Sequence, residues 1–219
     1  MGPIMPEPPD ETGALVRKAE QGDLAALAEL FEQYRARLKQ MVLFRLDRRL
    51  QGRVDASDVL QDAYVDVSRR LPEYVSKPEL PLFLWMRFLV AQRLIDVHRQ
   101  HLGAAMRDAG QEVSLYRGAM PQATSLSLAA QLLGRLTTAS QAAMRAETQV
   151  QVQEALNNMD PIDREVLALR HFEMLSNEEV AHELGIKKSA ASNRYIRALK
   201  RLKSILTAYS GMAPDEKSS

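Results

Sequence analysis

One stretch of this chain leaves little choice of local structure. Ser176-Asn177-Glu178-Glu179 has the pattern of a capping box: the Ser176 hydroxyl accepts from the Glu179 amide, and the Glu179 carboxylate reaches back to the Ser176 amide. Val180, Ala181 and Leu184 follow at helical spacing, and Gly185 supplies the left-handed residue that ends such a helix. Ile186 is expected in the core, and from Lys187 to Lys203 there are seven Lys/Arg and no acid. A short helix, a glycine turn and a longer basic helix predict a helix-turn-helix. Upstream, Asp160-Pro161 predicts a helix start, because proline at the first helical position loses an N–H that would have no partner. That helix carries Ile162, Val166, Leu167 and Leu169 as far as His171.

The last helix has two faces. Ala191, Tyr195, Leu199, Leu202 and Leu206 recur at three and four residues and form the expected core stripe. Ser189, Asn193, Arg194, Arg197, Lys200 and Arg201 occupy the remaining surface, with Lys187, Lys188 and Ser192 towards its N-terminal end. Arg forks onto guanine, Asn pairs with adenine and Ser adapts to either, so Ser189, Asn193 and Arg194 are the expected base readers, with Arg197 one turn on. The other cations suit phosphates, which fix register without reading sequence. The bland reading is a helical hairpin with a solvated basic face; capping, turn and charge segregation together favour DNA binding. A helix-turn-helix does not decide function, since repressors, response-regulator output domains and sigma factors all use it.

The remainder is helical by the same criteria. Leu24, Leu27, Leu30, Phe31, Tyr34, Leu38, Met41 and Val42 form one stripe behind Gly22-Asp23, a natural stop and N-cap. A second helix starts at Asp55, buries Val59, Leu60, Ala63, Tyr64, Val67 and Leu71, and is expected to end at Pro72. Pro72 to Pro81 holds three prolines and reads as a loop. A third helix runs from Leu82 to Arg99, and no segment alternates long enough to predict a strand. The fold class is all-α: two small helical domains joined by a linker, the C-terminal one a helix-turn-helix. The expected boundaries are a disordered N-terminus over 1–12, a helical domain over 13–105, a linker over 106–148, the helix-turn-helix domain over 149–209 and a tail over 210–219. Within the linker, Leu126, Leu128, Leu132, Leu133 and Leu136 cluster as if partly helical.

Composition excludes several function classes. There is no cysteine, so no disulfide, thiol nucleophile or cysteine zinc site is possible, and with four histidines, of which only His98 and His101 are close together, a histidine metal site is not expected. No apolar run is long enough to span a membrane. Met1 to Asp10 holds four prolines, two acids and no basic residue, unlike a signal peptide, and a cytoplasmic location is expected. No glycine-rich phosphate loop and no nucleophile–base pair is present, so neither an enzyme nor a cofactor or metal is expected. The net charge of +1 is uninformative, but its distribution is not: Arg35 to Arg53 holds seven Lys/Arg and one acid, and Asp55 to Asp66 holds four acids and no base. Such blocks suit separate partners on separate faces.

Four stretches, in order, resemble the sigma factors of bacterial RNA polymerase, of the extracytoplasmic-function (group IV) type in the sigma-70 family. Gly22-Asp23-Leu24-Ala25-Ala26-Leu27-Ala28-Glu29-Leu30-Phe31-Glu32-Gln33-Tyr34 resembles the opening of the family's first conserved region. Asp55-Ala56-Ser57-Asp58-Val59-Leu60-Gln61-Asp62-Ala63-Tyr64 resembles its D-x-x-D-L-V-Q-E-x-F helix. Trp85, with Asp96 eleven residues on in Leu94-Ile95-Asp96-Val97-His98-Arg99, resembles its promoter-melting helix. Leu156 to Leu206, with Arg164-Glu165-Val166 and Glu178 to Gly185, resembles its C-terminal DNA-binding region. The resemblance covers residues 14–105 and 150–207. There are departures: Ser68 stands where the family often has Trp, Ala190-Ala191 where it has Thr-Val, and Ser192 where many members have Lys or Arg.

The resemblance implies a sigma factor that binds core RNA polymerase, recognises promoter DNA and promotes strand opening for transcription initiation. Asp58, Gln61, Asp62 and Asp66 would dock on the clamp helices of the largest subunit. The three aspartates stand at i, i+4 and i+8, where like charges repel by a few tenths of a kcal/mol per pair; a basic partner would offset this, and a solubilising face is the plainer reading. Tyr74, in the loop Leu71 to Leu82, would stack on a flipped base of the downstream element, with Arg87, Gln92, Arg93, His98 and Arg99 holding the single strand. Trp85 is expected in the core, and Asp96 in a structural pair with a neighbouring Arg. Lys187, Lys188, Ser189, Ser192, Asn193, Arg194, Arg197, Lys200 and Arg201 would bind the upstream element. The linker would thread polymerase channels near the RNA exit, and an anti-sigma or other regulatory protein is an expected partner. The alternative is a dimeric helix-turn-helix regulator acting without polymerase docking, which would require a palindromic site.

Overall fold

The computed structural model describes residues 10–102 and 156–210, with 125, 128, 129, 150 and 152–154. Residues 1–9, the tail 211–219, the side chain of Leu206 and nearly all of the expected linker, including Leu126, Leu132, Leu133 and Leu136, lie outside the described residues. The chain divides into two compact units, Met1–Pro121 and Gln122–Ser219.

In the first unit, α1 (Asp10–Glu20), α2 (Leu24–Arg45), α3 (Ala56–Ser76) and α4 (Leu82–Leu102) pack together, with α2 against the other three and α3 against α4. Helix α1 begins inside the segment expected to be disordered over 1–12: Thr12 is buried and its hydroxyl donates to Gln33 Oε1 at 3.3 Å. Gly22, at φ 92°, reverses the chain, and the Asp23 carboxylate then caps α2 by accepting from the amides of Ala25 and Ala26. The α2 stripe buries Leu27, Leu30, Phe31, Leu38, Met41 and Val42, while Leu24, at the open first turn, stays exposed. Asp55 caps α3 through the Ser57 amide at 2.7 Å, and Val59, Leu60, Ala63, Val67 and Leu71 face the core.

Pro72 does not end α3, which runs a further turn to Ser76, so the loop is only 77–81. Proline inside a helix costs about 3 kcal/mol. The extra turn buries Tyr74, whose ring lies 4.6 Å from that of Trp85 and whose hydroxyl donates to the Leu80 carbonyl at 2.9 Å. Burying a large side chain returns about 1.5–3 kcal/mol, and the stacked aromatic pair adds about 0.5–1.5; together these offset the proline. Helix α4 extends to Leu102 and is apolar on most sides, with Leu84, Met86, Leu89, Val90 and Leu94 fully buried.

His98 is buried on α4, and its Nε2 accepts from the Asp47 amide at 3.2 Å, which closes the turn after α2 onto α4. Burial pushes His98 below its ordinary value of 6.5, with Asp47 opposing and Arg49 assisting. Asp47 itself is held at about 2 by its fork with Arg49, so it does not titrate near neutrality. The folded state therefore prefers neutral His98, and its contribution is complete above the unfolded value and lost as pH falls from there through the depressed folded value. As pH falls below about 6.5 the unfolding free energy should fall with it, by at most about 1.4 kcal/mol per unit from this group, read as a declining melting temperature. His98→Gln, which keeps an acceptor but cannot titrate, should flatten that slope; an unchanged slope places the sensitivity elsewhere.

In the second unit, α5 (Pro161–Leu167) opens under the Asp160 cap, which accepts from the amides of Ile162 and Asp163. The expected continuation to His171 is present as a π-helical turn, Ala168–Phe172, rather than as α-helix. Then come α6 (Asn177–Leu184) and α7 (Lys188–Ser210), both packed on the second unit's core, α5 and α6 each against α7. From the stretch expected as linker, Ser125, Leu128 and Ala129 are helical and buried, and Arg164 Nη1 donates to Ser125 Oγ at 3.1 Å and to the Leu156 carbonyl at 3.3 Å.

Candidate nucleic-acid interface

The capping box is complete: the Glu179 amide donates to Ser176 Oγ at 3.1 Å, and the Ser176 amide donates to Glu179 Oε2 at 2.6 Å. Gly185, at φ 62°, is left-handed, and the Ile186 amide donates back to the Ala181 carbonyl at 2.9 Å. A residue with Cβ is strained there. Two contacts set the start of α7 against α6: Asn177 Nδ2 donates to the Lys188 carbonyl at 2.8 Å, and Lys188 Nζ pairs with Glu178 at 2.9 Å.

The buried edge of α7 is Ala191, Ala198 and Leu202, with Tyr195 and Leu199 only half-buried. Relative to the expected stripe, the helix is turned by roughly 40°, on 100° per residue. This has two consequences. Arg194 moves from the outer face to the α5 side, and Ile196, absent from the expected set, lies outside and is 51% exposed. Ser189, Asn193, Arg197, Lys200 and Arg201 are exposed with it, Ser192 half so, and Lys187 and Lys188 are exposed ahead of them. An apolar side chain among donors on such a face can meet a thymine methyl.

Arg194 and Arg197 converge on Asp163. Arg194 Nη1 donates to Asp163 Oδ1 at 2.7 Å; Arg197 donates from Nε to Oδ2 at 2.6 Å and from Nη2 to Oδ1 at 2.8 Å. The Arg197 guanidinium, and then Arg194, hold the Asp163 carboxyl below the usual carboxylate range against the opposing effect of burial. Arg170, whose Nη1 donates to the Leu175 carbonyl at 2.7 Å, lies 5.1 Å from the Tyr195 ring and props the other flank.

In the first unit, Asp58, Gln61 and Asp62 are exposed on α3 and Asp66 half so. Val65, 43% exposed, stands between them at i+4 from Gln61, an apolar centre that a reading by charge does not reveal. Asp62 is paired with Arg93 of α4, and Arg70 Nη1 donates to Gln92 Oε1 at 3.2 Å. The residues expected on one basic rim are not brought onto one face. Arg87 is only 1% exposed and His98 is buried, because α4 is enclosed on that side; Tyr74 is in the last turn of α3, inside the core, not in a loop. Arg99 is exposed and lies 3.8 Å from Asp96, itself exposed on α4, and Trp85, expected in the core, is half-buried against Tyr74.

Residues 155–204 match the model for region 4 of sigma-70. The chain is also 26% identical to the ECF RNA polymerase sigma factor SigD of Mycobacterium tuberculosis and of Mycobacterium bovis over 208 residues, 95% of this chain and 90% of each relative. By these comparisons the chain is similar to sigma factors of the extracytoplasmic-function type of the sigma-70 family. A solved structure of CnrH in complex with the cytosolic domain of CnrY is similar to this chain at a TM-score of 0.50 and 21% identity, covering 91% of this chain and 99% of that one, and shares the helical fold. Sigma factors are initiation factors rather than enzymes. Among the described residues of this chain, no helix is long and apolar enough to cross a membrane, and no group of His, Asp and Glu could hold a metal ion. Asp163 had no local signal, since it lies more than thirty residues from its arginine partners; Ile196 had one, an isoleucine off the apolar stripe.

Proposed function

We propose that this chain is a sigma factor that docks on the clamp helices of core RNA polymerase through α3, reads the upstream promoter element with α7, and assists opening of the downstream element from α4. The observation that carries the reading is the capped helix-turn-helix with Ser189, Asn193, Ile196, Arg197 and Lys200 exposed along one face of α7. Docking is supported by the exposed Asp58, Gln61 and Asp62 around Val65. For strand opening, Gln92, Arg93 and Arg99 are the DNA-facing candidates, with Tyr74, Arg87 and His98 as the frame beneath them. A regulatory protein that covers the factor in the cytoplasm is part of this reading, supported by the capture of CnrH with the cytosolic domain of CnrY.

The test is a promoter library bound and transcribed with core enzyme at several salt concentrations. Arg197→Ala is expected to cost about 1–3 kcal/mol and to relax preference at one or two base pairs. Lys200→Ala is expected to weaken all sequences alike and lower the salt slope by about one. A chain that shifts palindromic DNA as a dimer, and gives no run-off product with core enzyme, overturns the reading.

A further inference from the structure

Arg197 is an exposed side chain with a buried anchor. Its side chain is 60% exposed, yet two of its donors end on a carboxylate that is only 5% exposed. An isolated ion pair at such an exposed position contributes little to stability, and Arg194, more enclosed, already neutralises Asp163. What the second, bidentate contact does add is direction. A guanidinium has five N–H donors in a rigid plane. The carboxylate takes Nε–H and the adjacent Nη2–H, which fixes the plane and leaves the terminal edge, one hydrogen on Nη1 and one on Nη2, pointing away from α5. Among the described residues that edge meets no acceptor. Two parallel N–H groups at that spacing match guanine N7 and O6.

We propose that Asp163 is a specificity-determining positioning residue: it clamps Arg197 so that the terminal guanidinium edge reads a single guanine of the upstream element. This rests on the reading above that α7 reads the upstream element, which it would do from the major groove. The carboxylate is itself held still, in the first turn of α5 beneath the Asp160 cap and against Arg194. It also tempers charge. One carboxylate shared by two guanidiniums leaves a net single positive charge on the three groups, so phosphate attraction falls while directional hydrogen bonding stays. Lys200, which has no such anchor among the described residues, keeps its full charge and mobility for phosphate.

The test uses the full chain with core enzyme and a library varied across the upstream element, at several salt concentrations. Asp163→Asn should reduce guanine preference at one base pair by about tenfold. Affinity for unrelated DNA should rise with the lost negative charge, and the salt slope should steepen by up to about one. A merely structural pair would instead weaken all binding together. Arg197→Lys keeps the charge, loses the fork and leaves Arg194 on Asp163, so it should fold like the parent and lose the same preference. In an Arg197→Ala background, Asp163→Asn should change guanine preference no further. Retained guanine preference in Asp163→Asn or in Arg197→Lys overturns the clamp. If Arg197→Ala itself leaves the sequence profile intact, the groove setting of α7 has failed instead, and the clamp with it.

Discussion

Tyr74→Ala is expected to destabilise the full chain by about 3 kcal/mol or more, the cost of emptying an aromatic site in a packed core. The ring is buried against Trp85, and its hydroxyl satisfies the Leu80 carbonyl in the short loop between α3 and α4. Burial pushes the phenol up to about 12, so it remains a donor at every pH of interest. Tyr74→Phe separates the two contributions: it keeps the stack, leaves the carbonyl without its donor, and should cost about 0.5–1.5 kcal/mol. Urea denaturation of the three proteins gives the values. If Tyr74→Ala unfolds at the parent midpoint but fails in permanganate mapping of promoter thymines, the ring works on an extruded base and not in the core.

Reversing the exposed aspartates of α3 should have the larger effect on function. Asp58→Lys with Asp62→Lys is expected to weaken core-enzyme binding by about 30-fold or more, as for charged positions at the centre of an interface. The fold should survive, because both side chains are exposed and Asp55, which caps the helix, is untouched. Asp62→Lys also breaks the pair with Arg93, so Arg93→Ala is the control: it removes that pair and leaves the acidic face. Val65→Asp tests the apolar centre, since a charge there should weaken docking although it adds to the acidity. A double variant that binds core enzyme as tightly as the parent removes α3 from the interface.

The features legible in the sequence are those set by neighbours in the chain. Asp23, Asp55, Asp160 and Ser176 cap helices because a short polar side chain reaches amides two or three residues ahead. Gly185 ends α6 because glycine, lacking a Cβ, takes its left-handed φ at no steric cost. What was not legible depends on distant packing. Pro72 reads as a stop by every local rule, and the burial of Tyr74 against Trp85 across the loop offsets its cost. Arg87 reads as a surface cation until α4 is seen enclosed. The rotation of α7 turned on which flank met α5, a matter settled by Asp163 gripping Arg194 and Arg197 across more than thirty residues. The helices that carry the candidate residues therefore follow from local sequence, while the exposure of each side chain follows from packing.

The order of helix pairings bears on how the chain is made. The contacts of α2 with α1, α3 and α4, and of α3 with α4, all close within residues 10–102. Those of α7 with α5 and α6 close within residues 161–210. Helices that pair with near neighbours search little before they meet, and such folds form in microseconds to milliseconds, whereas a ribosome adds about 5–20 residues each second. The first unit can therefore bury Leu27, Leu60 and Leu94 while the DNA-reading half is still being translated, and the growing chain need not hold its apolar stripes open to aggregation.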